Sequence, residues 1–391
     1  MFCITRVYVL VLLGFLGGLL PRFATASDEV LNTPQRLLVM SREARLMRGD
    51  EASGSVPQGT VLTVNRANAN WRYSPDNKGW VHLRDTIPLE RAEAELESRI
   101  RTDPSATNYQ LRGIARMAAD QWASAAQDFE KAYDLGESST NLHYNLGVCY
   151  ERLGEYAAAL EEFDSVLSSF PDEFPSLLAR ANLLLNRSQT SEALRDLDKA
   201  VSLKPDSADA HNSRGIALRM LNRFAEAIAA YDKAIELNPE REDAICNRGY
   251  VKKQLRQEEA AKEDYEVALK LAPTSNSIRN DLAWLLATST KESIRDPKRS
   301  LELSEAVCKE TQFKDPDYLD TLAAAYARNE RFAAAIETAK LALSLVKEEA
   351  DAAPIRQRLS EYEQNRAVID SVTASVTDSG AAADSTSSKS D

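Results

Sequence analysis

Tyr144-Asn145-Leu146-Gly147-Val148-Cys149-Tyr150, followed by Glu155-Tyr156-Ala157-Ala158-Ala159-Leu160, decides the fold of this chain, because it is written again further along. Ser213-Arg214-Gly215-Ile216-Ala217 with Phe224-Ala225-Glu226-Ala227-Ile228 repeats its pattern of small and large residues. Self-similarity at a fixed period marks a repeat architecture. Gly113, Gly147, Gly215 and Gly249 stand on one ladder of 34-residue steps, with Ala181 and Ala283 on its other rungs. Above each rung come a small column (Ala125, Ala159, Ala193, Ala227, Ala261) and a large one (Phe129, Phe163, Leu197, Tyr231, Tyr265). A second small column follows (Ala132, Val166, Ala200, Ala234, Ala268), and Pro171, Pro205, Pro239 and Pro273 close successive units.

Each column has a packing reason. Two antiparallel helices approach closely only where side chains are small, so Gly or Ala on a first helix should meet Ala on a second. The offsets of four and three place small, large and small residues on one face of that second helix. Proline lacks the amide donor and disfavours helix in its predecessor, so it ends the unit. Asp206-Ser207 and Thr274-Ser275 then offer caps for the next helix.

These residues resemble the tetratricopeptide family. The resemblance covers about residues 106–347 and implies a mainly α fold, a right-handed α-solenoid of seven helix-turn-helix repeats. The first unit departs from the pattern, with Gly136-Glu137 in place of the closing proline. The last two, opening at Leu282-Ala283-Trp284 and at Tyr318 to Tyr326, resemble a variant repeat pair, the former with a longer loop over Ser289 to Pro297.

Upstream the texture changes to short β-branched runs: Arg36 to Met40, Thr60 to Val64, Trp71 to Tyr73 and Gly79-Trp80-Val81. Residues 33–88 are therefore read as a small β-barrel domain preceding the solenoid. Val56 to Leu62, then Trp71, then Gly79-Trp80-Val81, is similar to the bacterial Src-homology-3-like barrel. That similarity implies Trp71 and Trp80 as ligand contacts, against the alternative that they are core. Residues 89–105 read as a charged linker helix, 348–366 as a C-terminal helix, and 367–391, rich in Ser, Thr, Ala and Asp, as a disordered tail. Arg6, the apolar run Val7 to Leu20 and Ala24-Thr25-Ala26 before Ser27 have the form of a cleaved signal peptide, residues 1–26. The expectation is an exported protein, periplasmic or in the cell envelope, without a membrane span after cleavage.

Composition narrows the chemistry. Of 391 residues, 48 are Lys or Arg and 60 Asp or Glu, a net charge of -12 that repels phosphate backbones, so nucleic acid is not expected as a partner. Cys149, Cys246 and Cys308 have no second Cys or His at ligand spacing and read as buried apolar side chains. His143 and His211 hold one repeat position and read as helix-packing residues, while the carboxylates are expected on solvated helix faces. No phosphate loop, zinc-protease helix or nucleophile turn is present. Neither catalytic residues, a cofactor nor a metal is expected.

What remains is binding. If the ladder residue faces the partner helix, residues three before, one after and four after it form a separate stripe. In the tetratricopeptide fold that stripe lines the concave groove. Three before gives Gln110, Tyr144, Leu178, Asn212, Cys246 and Asn280; one after gives Ile114, Val148, Asn182, Ile216, Tyr250 and Trp284; four after includes Arg219 and Lys253. The candidate groove residues are Tyr144, Asn145, Asn182, Asn212, Arg219, Tyr250, Lys253 and Trp284. The expected function is a non-enzymatic scaffold holding a protein or peptide; the alternative is an envelope protein contacting cell-wall material through its barrel.

Overall fold

The computed structural model describes residues 29–48 and 51–369. The signal segment 1–26 and, past residue 369, the expected tail lie outside the described residues. The chain divides into two compact units, Met1–Leu183 and Leu184–Asp391.

The first unit opens with strands β1 (Glu29–Val39), β2 (Glu43–Arg48), β3 (Glu51–Pro57), β4 (Val61–Ala67), β5 (Trp71–Ser74), β6 (Gly79–His82) and, after a 3-10 turn at Leu83–Asp85, β7 (Thr86–Pro88). They pair in one antiparallel sheet of order β3-β2-β6-β5-β4-β1-β7. Alternate residues turn one face inward, where Leu37, Val39, Ala44, Leu46, Val56, Leu62, Val64 and Val81 make the core. The β1 register slips between Val30 and Gln35, around Pro34, which has no N–H to give the ladder.

Helix α1 (Leu89–Thr102) is more than a charged linker. Its buried Ala92 and Leu96 join Leu38 of the sheet and Leu111 and Ala115 of α2 (Ala106–Met117) in one apolar cluster. Gly59, at φ 84° in the β3–β4 turn, lies so near α2 that a Cβ there would stand 2.7 Å from Ile114 Cδ1. Helices α3 (Trp122–Asp134), α4 (Thr140–Leu153), α5 (Tyr156–Ser169) and α6 (Phe174–Asn186) follow, α6 running across the division.

The second unit holds α7 (Thr190–Leu203), α8 (Ala208–Met220), α9 (Phe224–Leu237), α10 (Glu242–Gln254), α11 (Glu258–Leu271), α12 (Asn276–Thr288), α13 (Pro297–Glu310), α14 (Pro316–Arg328), α15 (Phe332–Leu345) and α16 (Glu349–Glu363). In both units helices pack as successive pairs, in the manner of an α-solenoid. No helix among the described residues is long and apolar enough to cross a membrane.

The repeat columns do what their residue types allow. A Cβ on Gly113, Gly147 or Gly215 would meet the ring of Phe129, Phe163 or Tyr231 at 2.8, 2.7 and 2.5 Å. Helices α5, α7, α9 and α11 end one residue before Phe170, Lys204, Asn238 and Ala272, which precede the prolines and have left the helical region at ψ 77, 81, 93 and 74°. Ser139 and Ser207 cap α4 and α8 by accepting from the amides of Leu142 and Ala210.

Gly215→Ala should therefore cost a net ~1–2 kcal/mol, overpacking by a methyl outweighing the helix propensity gained. Combined with Tyr231→Leu it should cost less than the sum of the single changes, as at the rung where Ala181 goes with Leu197 in the large column. A double-mutant cycle by urea denaturation checks this, and strict additivity would contradict the contact.

Charge is organised on the same period, contrary to the expectation that carboxylates are only solvated. Arg180, Arg214 and Arg248, each one residue before a rung, pair back to Asp164, Asp198 and Asp232 at 2.6, 2.6 and 2.7 Å. Further aspartates are buried, and two of them gather several cations. Asp128, 3% exposed, accepts from Arg112 at 2.6 and 2.9 Å and from Arg116 at 2.8 Å. Asp264, 4% exposed, accepts from Arg248 at 2.6 and 2.9 Å and lies 2.8 Å from the Lys252 ammonium. Glu258 is buried at the start of α11 and pins the longer loop after α12, accepting from the hydroxyls of Ser289 and Thr290. Burial pushes its pKa up, but these hydrogen bonds outweigh that and hold it below the usual carboxylate range.

Candidate functional site

The first helices α8, α10 and α12 of the second unit carry three lanes of predicted groove residues, and the structure shows how each is held. In the first lane, Asn212 is 4% exposed and its Nδ2 donates to Asp243 Oδ2 at 3.1 Å. Asp243 is itself fixed by Arg241 Nε, 2.8 Å from Oδ1. With its amino group so engaged, Asn212 turns a buried Oδ1 that accepts no hydrogen bond. Asn280 holds the same repeat position in α12, and its Oδ1 is likewise buried and unpaired.

In the middle and third lanes, the Tyr250 ring has the Arg219 guanidinium and the Lys253 ammonium each 5.2 Å from its centre. Arg219 Nε is buried without a hydrogen-bond partner. The rings of Tyr231 and Tyr265 are fully buried; the Tyr265 hydroxyl makes no hydrogen bond, and the Tyr231 hydroxyl faces the Arg219 guanidinium. Asp281, next to Asn280, accepts from Cys246 Sγ at 3.4 Å. Burial raises the Asp281 pKa, with Lys253 and Arg219 pulling against it, and the same burial raises the Cys246 thiol.

Trp284 differs from expectation. Arg358 of α16 lies 5.3 Å from its ring centre and is anchored to Asp320 at 2.6 Å, so the chain itself occupies a face of this candidate.

In the first unit, Tyr144 is a packing residue: its ring lies 6.0 Å from Phe163 and belongs to the cluster of Ala159, Phe163 and Leu183. Burial raises its pKa. Asn145 on α4 and Asn182 on α6 are half-buried. Ile114, expected at the first rung of the middle lane, lies under the β3–β4 turn instead.

On the sheet, β5 and β6 set Trp71 opposite His82 and Tyr73 opposite Trp80. The rings meet at 4.8 and 5.4 Å, and Arg66 lies 5.5 Å from the centre of Tyr73. These residues alternate with the buried Ser74 and Val81, so they form an aromatic ladder on the face opposite the core, and both tryptophans are half-buried there.

His143 Nδ1 lies 2.7 Å from Glu162 with its ring against Tyr133, and His211 Nε2 lies 3.1 Å from the Pro205 carbonyl; both pack between elements. Cys149, Cys246 and Cys308 are free and buried, and burial pushes the Cys149 and Cys308 thiols up to about 12. No group of three or more His, Cys, Asp or Glu that could hold a metal occurs among the described residues.

Sequence reasoning missed the two tyrosine hydroxyls, Asp281 and the cover over Trp284. One signal was available for the first: the large column changes from Phe129 and Phe163 to Tyr231 and Tyr265.

The tetratricopeptide repeat family matches residues 111–174, 178–242 and 242–275. No curated protein matches the chain. A tetratricopeptide repeat protein from Parabacteroides merdae is similar in structure, with 18% identity and a TM-score of 0.51 over 70% of this chain and 99% of that one. MamA from Desulfovibrio magneticus gives 22% and 0.41 over 44% of this chain and 96% of its own. YrrB, described as a tetratricopeptide protein with an unusual peptide-binding site, gives 21% and 0.41 over 47% and 95%. At such identities the likeness is one of fold.

Proposed function

We propose, for a chain whose residues 111–275 carry tetratricopeptide repeats, a non-enzymatic scaffold that holds a peptide or protein segment along the inner face of α8, α10 and α12. One observation carries this reading: Asn212 Oδ1 and Arg219 Nε on α8 and Asn280 Oδ1 on α12 are buried without hydrogen-bond partners. Each such atom costs ~1–3 kcal/mol, and folded proteins keep few of them. Their concentration on one face is accounted for by a ligand that completes them. An extended peptide has the needed alternation of N–H and C=O groups, and Tyr250 adds a rigid face at low entropic cost.

Asn212→Ala combined with Tyr250→Ala should abolish capture of the partner cross-linked in the native compartment, with circular dichroism showing the helices retained. Capture that survives both changes places the site elsewhere.

For the sheet, the Src-homology-3-like identification is supported by β1 pairing with both β4 and β7 and by the 3-10 turn before β7. The aromatic ladder of Trp71, Tyr73, Trp80 and His82 supports a second reading, an envelope protein whose sheet contacts cell-wall material. Co-sedimentation with isolated cell wall, lost in Trp71→Ala with Trp80→Ala, would separate it from the first. Export to the periplasm or cell envelope is proposed from the Arg6, Val7–Leu20 and Ala24-Thr25-Ala26 pattern. Sequencing of the mature protein is expected to begin at Ser27, and a start at Met1 would refute it.

A further inference from the structure

The inner face of the second unit is asymmetric in its chemistry. One wall offers acceptors: Asn212 Oδ1 on α8 and Asn280 Oδ1 on α12, both buried and unpaired. Because the Asn212 amino group is committed to Asp243, its free oxygen is fixed as an acceptor and calls for an N–H donor. The other wall offers cations, Arg219 and Lys253, gathered on the Tyr250 ring of α10, the helix between those two.

Arg219 forms no salt bridge among the described residues: its Nε is buried without an acceptor, and its guanidinium faces the neutral Tyr231 hydroxyl, not a carboxylate. The buried Asp281 is a carboxylate on which both cations act. Two cations gathered on one ring make a basic point in a protein whose net charge is -12. A half-buried guanidinium with an unsatisfied donor prefers a carboxylate, whose hydrogen bonds with it are roughly twice as strong as neutral ones.

We propose that the segment bound here carries an Asp or Glu side chain, seated on Tyr250 against Arg219, with main-chain N–H groups on Asn212 and Asn280. The inference rests on the peptide-scaffold reading and names the recognised residue. Side chain is assigned over chain end because the unpaired asparagines stand on the helices to either side of Tyr250, so the main chain continues past the carboxylate in both directions. The geometry is suited to an internal acidic residue in an extended stretch.

The test is an array of random heptapeptides, acetylated and amidated so that no terminal charge remains, probed with the full chain. Captured peptides are expected to share an Asp or Glu at one fixed place, and Glu→Gln in the peptide should weaken binding about tenfold or more. In R219Q that Glu-over-Gln preference should collapse to near unity, while R219K, which keeps the charge, should retain part of it. Circular dichroism and melting confirm that both variants fold. Capture without acidic preference, or a preference unchanged in R219Q, overturns the inference and leaves the groove reading standing. Capture requiring a free carboxyl end, in a matched array without amidation, overturns the side-chain assignment. An array that captures nothing, with either kind of end, refutes the peptide-groove reading and this inference with it.

Discussion

Replacing Ala227 by Trp should lower the stability of the second unit by more than the ~1–3 kcal/mol that a few added methylenes cost in a filled core. Ala227 is fully buried on α9, four residues before Tyr231, whose ring already lies against Gly215 with no room for a methyl. An indole there must push α9 from α8, which removes the Gly215–Tyr231 contact as well. Because each helix pair touches mainly its neighbours, the damage should centre on α8 to α11. Hydrogen exchange should show amides of those helices losing protection first, with the β sheet unaffected. An unchanged melting curve would show that this column is not an interface.

The second large effect is expected at Asp128. It is the shared acceptor of Arg112 and Arg116, whose side chains are only 14% and 18% exposed. Asp128→Ala strands Arg112, which has no other ion-pair partner among the described residues, and breaking a buried pair from one side costs ~3–5 kcal/mol. Arg116 keeps Glu93 at 3.0 Å, which places the expected loss nearer the lower figure. Asp264→Ala should cost less, because Arg248 retains Asp232 at 2.7 Å. Urea denaturation of the two variants gives the comparison. Equal and small losses would mean that the ion clusters merely decorate the packing.

Much of this was legible in the sequence, and for a physical reason: a close helix contact admits so few residue types that Gly113, Gly147, Gly215 and Gly249 write the period directly. The charge ladder was equally periodic but went unread. Arg and Asp are common on exposed helix faces, and only the packed structure shows that Asp128 and Asp264 are buried. The sheet was half legible. β4, β5 and β6 carry the β-branched and aromatic residues that mark strands, whereas β3, Glu-Ala-Ser-Gly-Ser-Val-Pro, buries one residue and lies at an edge, so burial imposes no period on it. At the candidate site, helical geometry placed Asn212, Arg219, Tyr250 and Lys253 in one region. It could not foresee that Asn212 spends its amino group on Asp243, that Trp284 is stacked by Arg358, or that Ile114 lies beneath Gly59. Those are contacts between elements distant along the chain, and no local period encodes them.

Helix α16 has a consequence of another kind. Ile355 and Tyr362 close over Cys308, Leu319, Leu322 and Ala339, while Glu349, Asp351, Arg356, Gln357 and Glu363 face outward. In the first unit, the sheet and α1 seal Leu111 and Ala115 of α2. A repeat stack is in principle a living polymer, since the surface that receives one unit would equally receive another molecule's first unit. Each unit thus carries its own terminator, a β sheet with α1 in the first and the polar-backed α16 in the second, and neither cover offers a repeat surface on which a further helix pair could stack.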